Sequence, residues 1–380
     1  MTLYGHVGAG GSGGSGGQER SDPGIGSGGQ ERSDPGIESG GQERSDPGIE
    51  SGGPFFDDLM VGQVFDVAPS ITLTSGIAAA HQAILGDRMR LSLDADLAHA
   101  VTGVPGAMAH PALVCDIAIG QSTCVTRRVR ANLFYRGLVF HRYPTIGDTL
   151  FTRTEVVGLK QNSRKPGRAS SGLAALRMTT IDQAGRLVLD FHRCAMLPLS
   201  PGAADTGHAD DLTGLGAGPA PAVEGAGHWN AEAFRRRVPG PHFYPDIAGS
   251  VLRSSADVVS SAPELARLTL NIAAAHHDAR DSGRRLVYGG HTIGLALAQA
   301  TRLLPNLATV LGWQSCDHTA PVYEGDTLFS DLRVEAATEL PGGRGGVLSL
   351  RSVVYAADAT AGADDPDREV LDWRFTALHF

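Results

Sequence analysis

The pattern of hydrophobic and polar residues predicts the same series of elements twice along the chain. Long runs of small and apolar residues, AHPALVCDIAIGQS at 109–122 and GHTIGLALAQATRLL at 290–304, predict two buried helices. Apolar and polar residues alternate in later segments such as DTLFTRTEVVGL at 148–159 and VLSLRSVVYAA at 347–357, which predicts strands. A helix followed by strands indicates an α+β domain with an antiparallel sheet.

Short repeated peptides strengthen the case for two equivalent halves. The pentapeptide GDTLF occurs at 147–151 and again at 325–329. Three further pairs occur in the same order in both halves: AAHQA (79–83) with AAHHD (274–278), GLAALR (172–177) with GVLSLR (346–351), and VLDF (188–191) with VLDW (370–373). Four matches in one order predict an internal duplication. We interpret GDTLF itself as a turn in which Asp148 and Asp326 accept backbone hydrogen bonds.

Two segments differ from the rest of the chain in composition. Residues 1–53 contain GGQERSDPGI three times with almost no apolar residues, so we expect them to be disordered. Residues 201–228 are rich in Gly, Ala and Pro, which predicts a linker. The predicted domains are therefore an N-terminal unit at 54–200 and a C-terminal unit at 229–380.

Composition and charge exclude several classes of protein. The chain has 380 residues, 42% of them hydrophobic, and a net charge of −9 without a basic stripe, so we expect no nucleic-acid partner. No apolar run approaches the roughly 18 residues that a membrane span needs, and the N-terminus has no secretory pattern. The four cysteines are widely spaced and form no CxxC pair, which favours reduced thiols in a cytoplasmic protein over a metal or redox site.

Several motifs together resemble the MaoC-like dehydratases in their double-hotdog form. They are YGGHTIGLA at 288–296, the loop VVGLKQNSRKPGR at 156–168, the two GDTLF turns, and NIAAAHHD at 271–278. The resemblance covers residues 54–380 and is greatest to the mesaconyl-CoA hydratase branch. It implies a tandem hotdog, each half an antiparallel sheet wrapped around a long central helix, with acyl-thioester sites near the interface of the halves.

The two half-sites differ at the position where the family carries a polar residue five places before a histidine. SGIAAAHQA places Gly76 before His81, whereas LNIAAAHHD places Asn271 before His276. Only the second half therefore keeps a pair. Imidazole suits proton transfer near neutral pH, and an amide can hold water without ionising. We expect His276 to transfer protons and Asn271 to orient water, and the resemblance implies that this branch also carries Asn at this position.

Backbone donors are expected to stabilise the thioester oxygen. Gly289 and Gly290 begin the second long helix, where free N–H groups favour an anion, and Gly290 matches the family's oxyanion glycine. Pro111 occupies the corresponding region of the first half and has no N–H, which favours a silent half-site there. No metal or redox cofactor is expected, since coenzyme A enters as part of the substrate.

Basic residues are expected to bind the phosphates of coenzyme A and a second carboxylate of the substrate. The candidates for the phosphates lie in the 156–168 loop and are Lys160, Arg164, Lys165 and Arg168. The candidates for the carboxylate are Arg88, Arg284 and Arg285, and the sequence does not choose among them.

The expected function is the reversible hydration of an enoyl-CoA thioester, with mesaconyl-CoA and β-methylmalyl-CoA as the first choice. Three alternatives stay open at this point: a general 3-hydroxyacyl-thioester dehydratase, a non-catalytic acyl-CoA-binding protein, and a thioesterase. A membrane partner is not expected, and a homodimer is left open.

Overall fold

The computed structural model describes residues 52–164, 166–218, 225–280, 283–357 and 367–380. The predicted disordered repeats, apart from residues 52 and 53, lie outside this part of the chain, as does Lys165. Seven α-helices are present in the described part: α1 (Ser75–Leu85), α2 (Arg90–Leu93), α3 (Ala95–Thr102), α4 (Pro111–Gln121), α5 (Ala231–Arg237), α6 (Ala262–Leu268) and α7 (Gly289–Leu303).

Twelve strands of the described residues form one antiparallel sheet. They are β1 (Val64–Phe65), β2 (Ile71–Thr72), β3 (Ala131–Phe140), β4 (Thr149–Gln161), β5 (Ser171–Ile181), β6 (Leu187–Pro198), β7 (Val251–Arg253), β8 (Asp257–Val258), β9 (Leu307–His318), β10 (Thr327–Glu339), β11 (Gly346–Ala357) and β12 (Arg368–His379). The long strands run in the order β4-β5-β6-β3-β9-β12-β11-β10. The order is symmetric about the β3–β9 pair, so the halves repeat one arrangement and join edge to edge.

The two long helices supply the centre of each half. All eleven residues of α4 are buried, and α7 is buried from Gly290 to Thr301. Continuous burial explains why both helices have small and apolar residues on every face, instead of one apolar and one polar face. Each helix contacts the strands of its own half, and the two helices also contact each other. The predicted α+β arrangement, a sheet around a central helix in each half, is confirmed.

The repeated GDTLF peptide forms the same turn before β4 and before β10. The Asp148 carboxylate accepts the N–H of Thr145 at 2.9 Å, and the Asp326 carboxylate accepts the N–H of Tyr323 at 2.9 Å. Each aspartate thus closes a turn of four residues by accepting a hydrogen bond from a backbone donor. The structural interpretation of this motif is confirmed.

The segments that carry the two histidines differ, although the sequence predicts the same series of elements in both halves. His81 lies within the continuous helix α1, whereas α6 stops at Leu268 and His276 sits in a separate 3-10 turn, Ala274–His276. Between them Leu270 has a positive φ of 61°. This strained backbone is held by hydrogen bonds from outside the helix.

Two of these hydrogen bonds connect the broken segment to the N-terminal half. The N–H of Ile272 donates to Thr123 Oγ1 at 3.0 Å, and the N–H of Ala274 donates to the carbonyl of Arg127 at 3.2 Å. Donors that a helix would use internally are thus taken by the end of α4 and the residues after it. The loop that holds Asn271 and His276 is shaped by the other half of the molecule.

Part of the predicted linker lies along β4. The N–H of Leu159 donates to the Asp210 carboxylate at 2.8 Å, and the N–H of Gln161 donates to the carbonyl of His208 at 2.8 Å. Residues 219–224 fall outside the described part, so the boundaries at 200 and 229 stay predictions. No helix of the described residues is long and apolar enough to cross a membrane.

Gly120, near the end of α4, lies directly against the backbone of the segment that carries Asn271. A Cβ at Gly120 would overlap the carbonyl of Thr269 and lie 3.2 Å from the backbone nitrogen of Asn271. Both obstacles are backbone atoms, which cannot move aside as a side-chain end can.

We predict that Gly120→Ala destabilises the protein by about 1–3 kcal/mol, because overpacking forces the α4 helix away from the loop. Chemical denaturation measures the loss. Gly214→Ala is the matched control, since a Cβ at Gly214 has no neighbour within 4 Å. Equal stability of the two variants would contradict the proposed close contact.

Candidate functional site

A cavity of about 1200 Å³ opens between the two halves. Its C-terminal wall includes Asn271, His276 and Gly289, and its N-terminal wall includes Arg193 and residues 127–133. The cavity therefore contains the predicted pair of the second half together with groups from the first half. Neither half alone could form it.

His276 is buried, with only 8% of its surface exposed, and its ring is held in one orientation. Its Nδ1 lies 3.0 Å from the carbonyl oxygen of Leu286, so Nδ1 is the nitrogen that carries the proton and donates. The Nε2 lone pair is then left for a proton. Burial lowers the pKa of His276 to about 4, with smaller contributions from the charges of His277 and Arg193, against the raising effect of the Leu286 hydrogen bond. The imidazole is neutral near pH 7 and can act as a base.

Asn271 is held at its oxygen and has its nitrogen available. Its Oδ1 accepts the N–H of Ala273 at 3.0 Å, and the residue is 2% exposed. His277 Nε2 lies 2.7 Å from the backbone carbonyl of Asn271 and fixes the loop further. The sequence predicts that Asn271 orients water, through either its oxygen or its nitrogen. The observed bond makes the two N–H groups of the amide the better placed contact for a ligand.

The glycine pair begins α7 beside the cavity, and the two glycines have different surroundings. Gly289 lines the cavity, and a Cβ there would lie 2.7 Å from His318 Nε2. A Cβ at Gly290 would overlap the Tyr288 hydroxyl and the Asp116 carboxylate, so these two side chains already occupy the space beside Gly290. The first N–H groups of a helix have no partner within the helix. The Gly289 amide is therefore the better placed of the two predicted oxyanion donors, and the assignment of Gly290 stays a prediction.

The corresponding histidine of the first half is engaged elsewhere. His81 Nε2 lies 3.1 Å from the Asp116 carboxylate, and both side chains are about 3% exposed. The Tyr288 hydroxyl donates to the same carboxylate at 2.7 Å. Pro111 occupies the first position of α4. These contacts favour a structural role for His81.

Three of the predicted phosphate ligands, Lys160, Arg164 and Arg168, are not among the described residues that line the cavity. Lys160 lies exposed on β4, and Arg164 donates to the carbonyl of Ala203 at 3.1 Å. Arg168 is exposed in the following turn, while Lys165 is outside the described residues. Their role in binding coenzyme A stays a prediction that this placement does not support.

The three arginines expected to bind a second carboxylate of the substrate are also not among the residues that line the cavity. Arg88 lines a smaller depression of about 430 Å³. Arg284 pairs with Asp326 at 2.9 Å, and Arg285 pairs with Glu324. Both of these charges are already compensated by carboxylates of the GDTLF region. The choice that the sequence left open is therefore not settled in favour of any of the three.

Sequence reasoning missed the basic groups that do line the cavity. Arg193 faces it from β6, and Arg127, Arg128 and Arg130 surround it after α4. Arg193 alternates with Phe191 and Ala195 on the buried face of its strand. A charged residue in the register of buried apolar positions is a signal that the sequence contained. Among the described residues no cluster of three or more His, Cys, Asp or Glu could hold a metal ion.

We predict that the low pKa of His276 makes the protein less stable as the pH falls. The folded pKa of about 4 lies below the ordinary 6.5, so the unfolded chain binds the extra proton first. Stability from this group is present above pH 6.5 and is lost as the pH falls toward 4. His276→Gln should reduce the slope of the unfolding free energy by up to about 1.4 kcal/mol per pH unit in this window.

Denaturant unfolding at several pH values between 4 and 7 measures this slope. An unchanged slope in the variant would mean that His276 is not buried in its neutral form.

Comparison with known proteins gives relatives over most of the chain, although no family model matches it. Mesaconyl-CoA hydratase from Cereibacter sphaeroides is 30% identical over 319 residues, covering 79% of this chain and 88% of that protein. Beta-methylmalyl-CoA dehydratase from Chloroflexus aurantiacus is 27% identical over 352 residues, covering 85% of this chain and 96% of that protein.

Solved structures agree with the architecture. Rv0216 from Mycobacterium tuberculosis, described as a double hotdog fold, is 67% identical with a TM-score of 0.83, covering 87% of this chain and all of that one. A MaoC domain protein dehydratase from Chloroflexus aurantiacus is 27% identical with a TM-score of 0.71, covering 86% of this chain and 97% of that one. The predicted tandem hotdog and the predicted family are confirmed. The chain belongs to the double-hotdog, MaoC-like dehydratases, in the group that contains mesaconyl-CoA hydratase.

Proposed function

We propose that the protein catalyses the reversible addition of water to an enoyl-CoA thioester, with mesaconyl-CoA as the substrate and β-methylmalyl-CoA as the product. The family supports the hydro-lyase reaction, and the names of two relatives support the substrate. The observation that carries the proposal is the placement of His276, which lines one cavity with Asn271. Its Nδ1 is hydrogen-bonded to the carbonyl of Leu286, which leaves Nε2 for proton transfer.

Hydration requires a water molecule that loses a proton as its oxygen attacks. Asn271 donates an N–H to the water and holds it in place, while His276 Nε2 accepts the proton. The water oxygen bonds to the β-carbon, and the electron pair of the double bond moves toward the thioester carbonyl. The protonated His276 then gives a proton to the α-carbon, which completes the addition with no net change in the enzyme.

The thioester oxygen gains negative charge in this step and needs a donor. The N–H of Gly289 at the start of α7 serves this role, assisted by the partial positive charge of a helix N-terminus. A side chain at Gly289 would collide with His318, so the residue is required for packing as well. The phosphates of coenzyme A need cations, and the same cavity is lined by Arg127, Arg128 and Arg130, which provide them.

We predict that His276→Ala lowers kcat for mesaconyl-CoA hydration by about 10²–10⁴-fold, because it removes the acid–base group. The loss or appearance of the enoyl thioester is followed by absorbance and chromatography. His81→Gln is the control, and its kcat should stay within about tenfold after correction for the folded fraction. If the control loses activity and His276→Ala does not, the first half-site is the active one.

A panel of substrates separates the proposal from its alternatives. Mesaconyl-CoA should react faster than crotonyl-CoA, whereas a general dehydratase would prefer the simple acyl chain. Release of free thiol would indicate a thioesterase, and binding without turnover would indicate a non-catalytic acyl-CoA-binding protein.

Substitutions at Asn271 test whether the amide serves as a donor. Asn271→Asp keeps an oxygen for the N–H of Ala273 but removes both N–H donors and adds a negative charge. We predict that both Asn271→Asp and Asn271→Ala lower kcat/KM for mesaconyl-CoA by about 10-fold or more. The reason is that the lost N–H donates to a water that gains negative charge, and a hydrogen bond to a charged group contributes about 1.5–3 kcal/mol. Steady-state kinetics measures both variants. A large gain in Asn271→Asp would instead show that the native amide marks a site that has lost its base.

A further inference from the structure

Arg193 is a buried cation in the wall of the catalytic cavity. It lies on β6 and is 3% exposed, yet it belongs to the residues that line the cavity together with Asn271 and His276. Its neighbours on the same face of the strand are the apolar Phe191 and Ala195. Placing a guanidinium in such a position is costly unless a compensating group is present.

The partners of Arg193 are neutral. Its Nε donates to Asn132 Oδ1 at 3.1 Å, Nη1 to Ser122 Oγ at 2.7 Å, and Nη2 to Thr126 Oγ1 at 3.3 Å. These three bonds fix the plane of the guanidinium and leave the remaining N–H groups for another acceptor. No carboxylate of the described residues forms an ion pair with it.

Two other arginines of the same sheet, Arg136 and Arg351, are each compensated by an aspartate. Arg136 pairs with Asp317 at 2.6 Å, and Arg351 pairs with Asp372 at 2.7 Å. Both are about 27–28% exposed, far more than Arg193. Of these three described arginines, Arg193 is the most buried and has neutral hydrogen-bond partners in place of an aspartate. An anionic ligand would complete its surroundings.

Arg193 also lies within electrostatic reach of the base. Burial is the main cause of the low pKa of His276, and the positive charge of Arg193 lowers that pKa further. In mesaconyl-CoA the free carboxylate is attached to the β-carbon, the atom that water attacks. A carboxylate one bond from the reacting carbon must lie close to the group that activates the water. The position of Arg193 meets this requirement.

We propose that Arg193 is the carboxylate-binding group of the cavity, and that it selects acyl-CoA thioesters with a carboxylate on the β-carbon. The inference rests on the proposed function and adds the residue that determines its specificity. A planar guanidinium with a fixed orientation suits a carboxylate better than an ammonium group does. The anchoring by Asn132, Ser122 and Thr126 gives that orientation before the substrate arrives.

The kinetic test compares mesaconyl-CoA with tiglyl-CoA, in which a methyl group replaces the carboxylate. We expect the native protein to prefer mesaconyl-CoA by about 10³-fold or more in kcat/KM, since a buried polar group left unpaired rejects the shorter analogue. Arg193→Met should reduce this ratio by about 100-fold or more. Arg193→Lys keeps the charge without the planar fork and should give an intermediate ratio.

The control for this test is Arg177→Met, which removes a half-exposed arginine of β5 paired with Asp190. Its ratio should equal that of the native protein. Circular dichroism and thermal melting establish that each variant is folded. An equal loss for both substrates in Arg193→Met would overturn the proposal, because it would assign Arg193 to the structure of the wall alone.

A binding test separates this inference from the proposed reaction. The saturated pair 2-methylsuccinyl-CoA and 2-methylbutyryl-CoA cannot be hydrated, and it differs at the same carboxylate. Calorimetry should show at least 10-fold tighter binding of the dicarboxylic ester by the native protein and no such difference in Arg193→Met. This result would support Arg193 even if mesaconyl-CoA were not hydrated. Equal affinities in the native protein would overturn the inference, whether or not the variants fold.

Discussion

The site depends on the contact between the end of α4 and the broken segment that follows α6. Gly120 lets the helix approach the carbonyl of Thr269, and Thr123 supplies a side-chain oxygen to the N–H of Ile272. These interactions replace hydrogen bonds that a continuous helix would make within itself. They turn Asn271 and His276 into the cavity, so a tertiary contact sets the geometry of the proposed acid–base pair. The same contact joins the two halves of the molecule beside the candidate site.

The two halves share one strand arrangement but differ at their histidines. The β3–β9 pair joins their sheets, and the order of the strands is symmetric about it. The histidine segments do not follow that symmetry, since His81 faces the Asp116 carboxylate whereas His276 is hydrogen-bonded to the carbonyl of Leu286. A buried histidine that faces a carboxylate stabilises a core. One that has a free Nε2 beside a cavity can exchange protons with a substrate.

Charge in the cavity is unevenly distributed. The proposed base is neutral because burial lowers its pKa to about 4, and the proposed water-binding residue is an amide that cannot ionise. The fixed positive charges are arginines, of which Arg193 is the most deeply buried, and the Asp278 carboxylate at the cavity is paired with Arg280. The proposed catalytic groups therefore do not repel a negatively charged substrate. An aspartate in place of Asn271 would add repulsion toward a second carboxylate.

The duplicated α+β architecture follows from the amino-acid sequence, because periodic burial and repeated turns are local properties of the chain. The spacing of residues also predicts Asn271, His276 and the glycine pair as candidates for the site. Which basic residues meet the cavity depends on tertiary packing, since Arg193 approaches His276 from a distant strand of the other half. The break after Leu268 and the different surroundings of Gly289 and Gly290 depend on packing as well. Both follow from backbone atoms and side chains that are remote in sequence and become neighbours only when the halves pack.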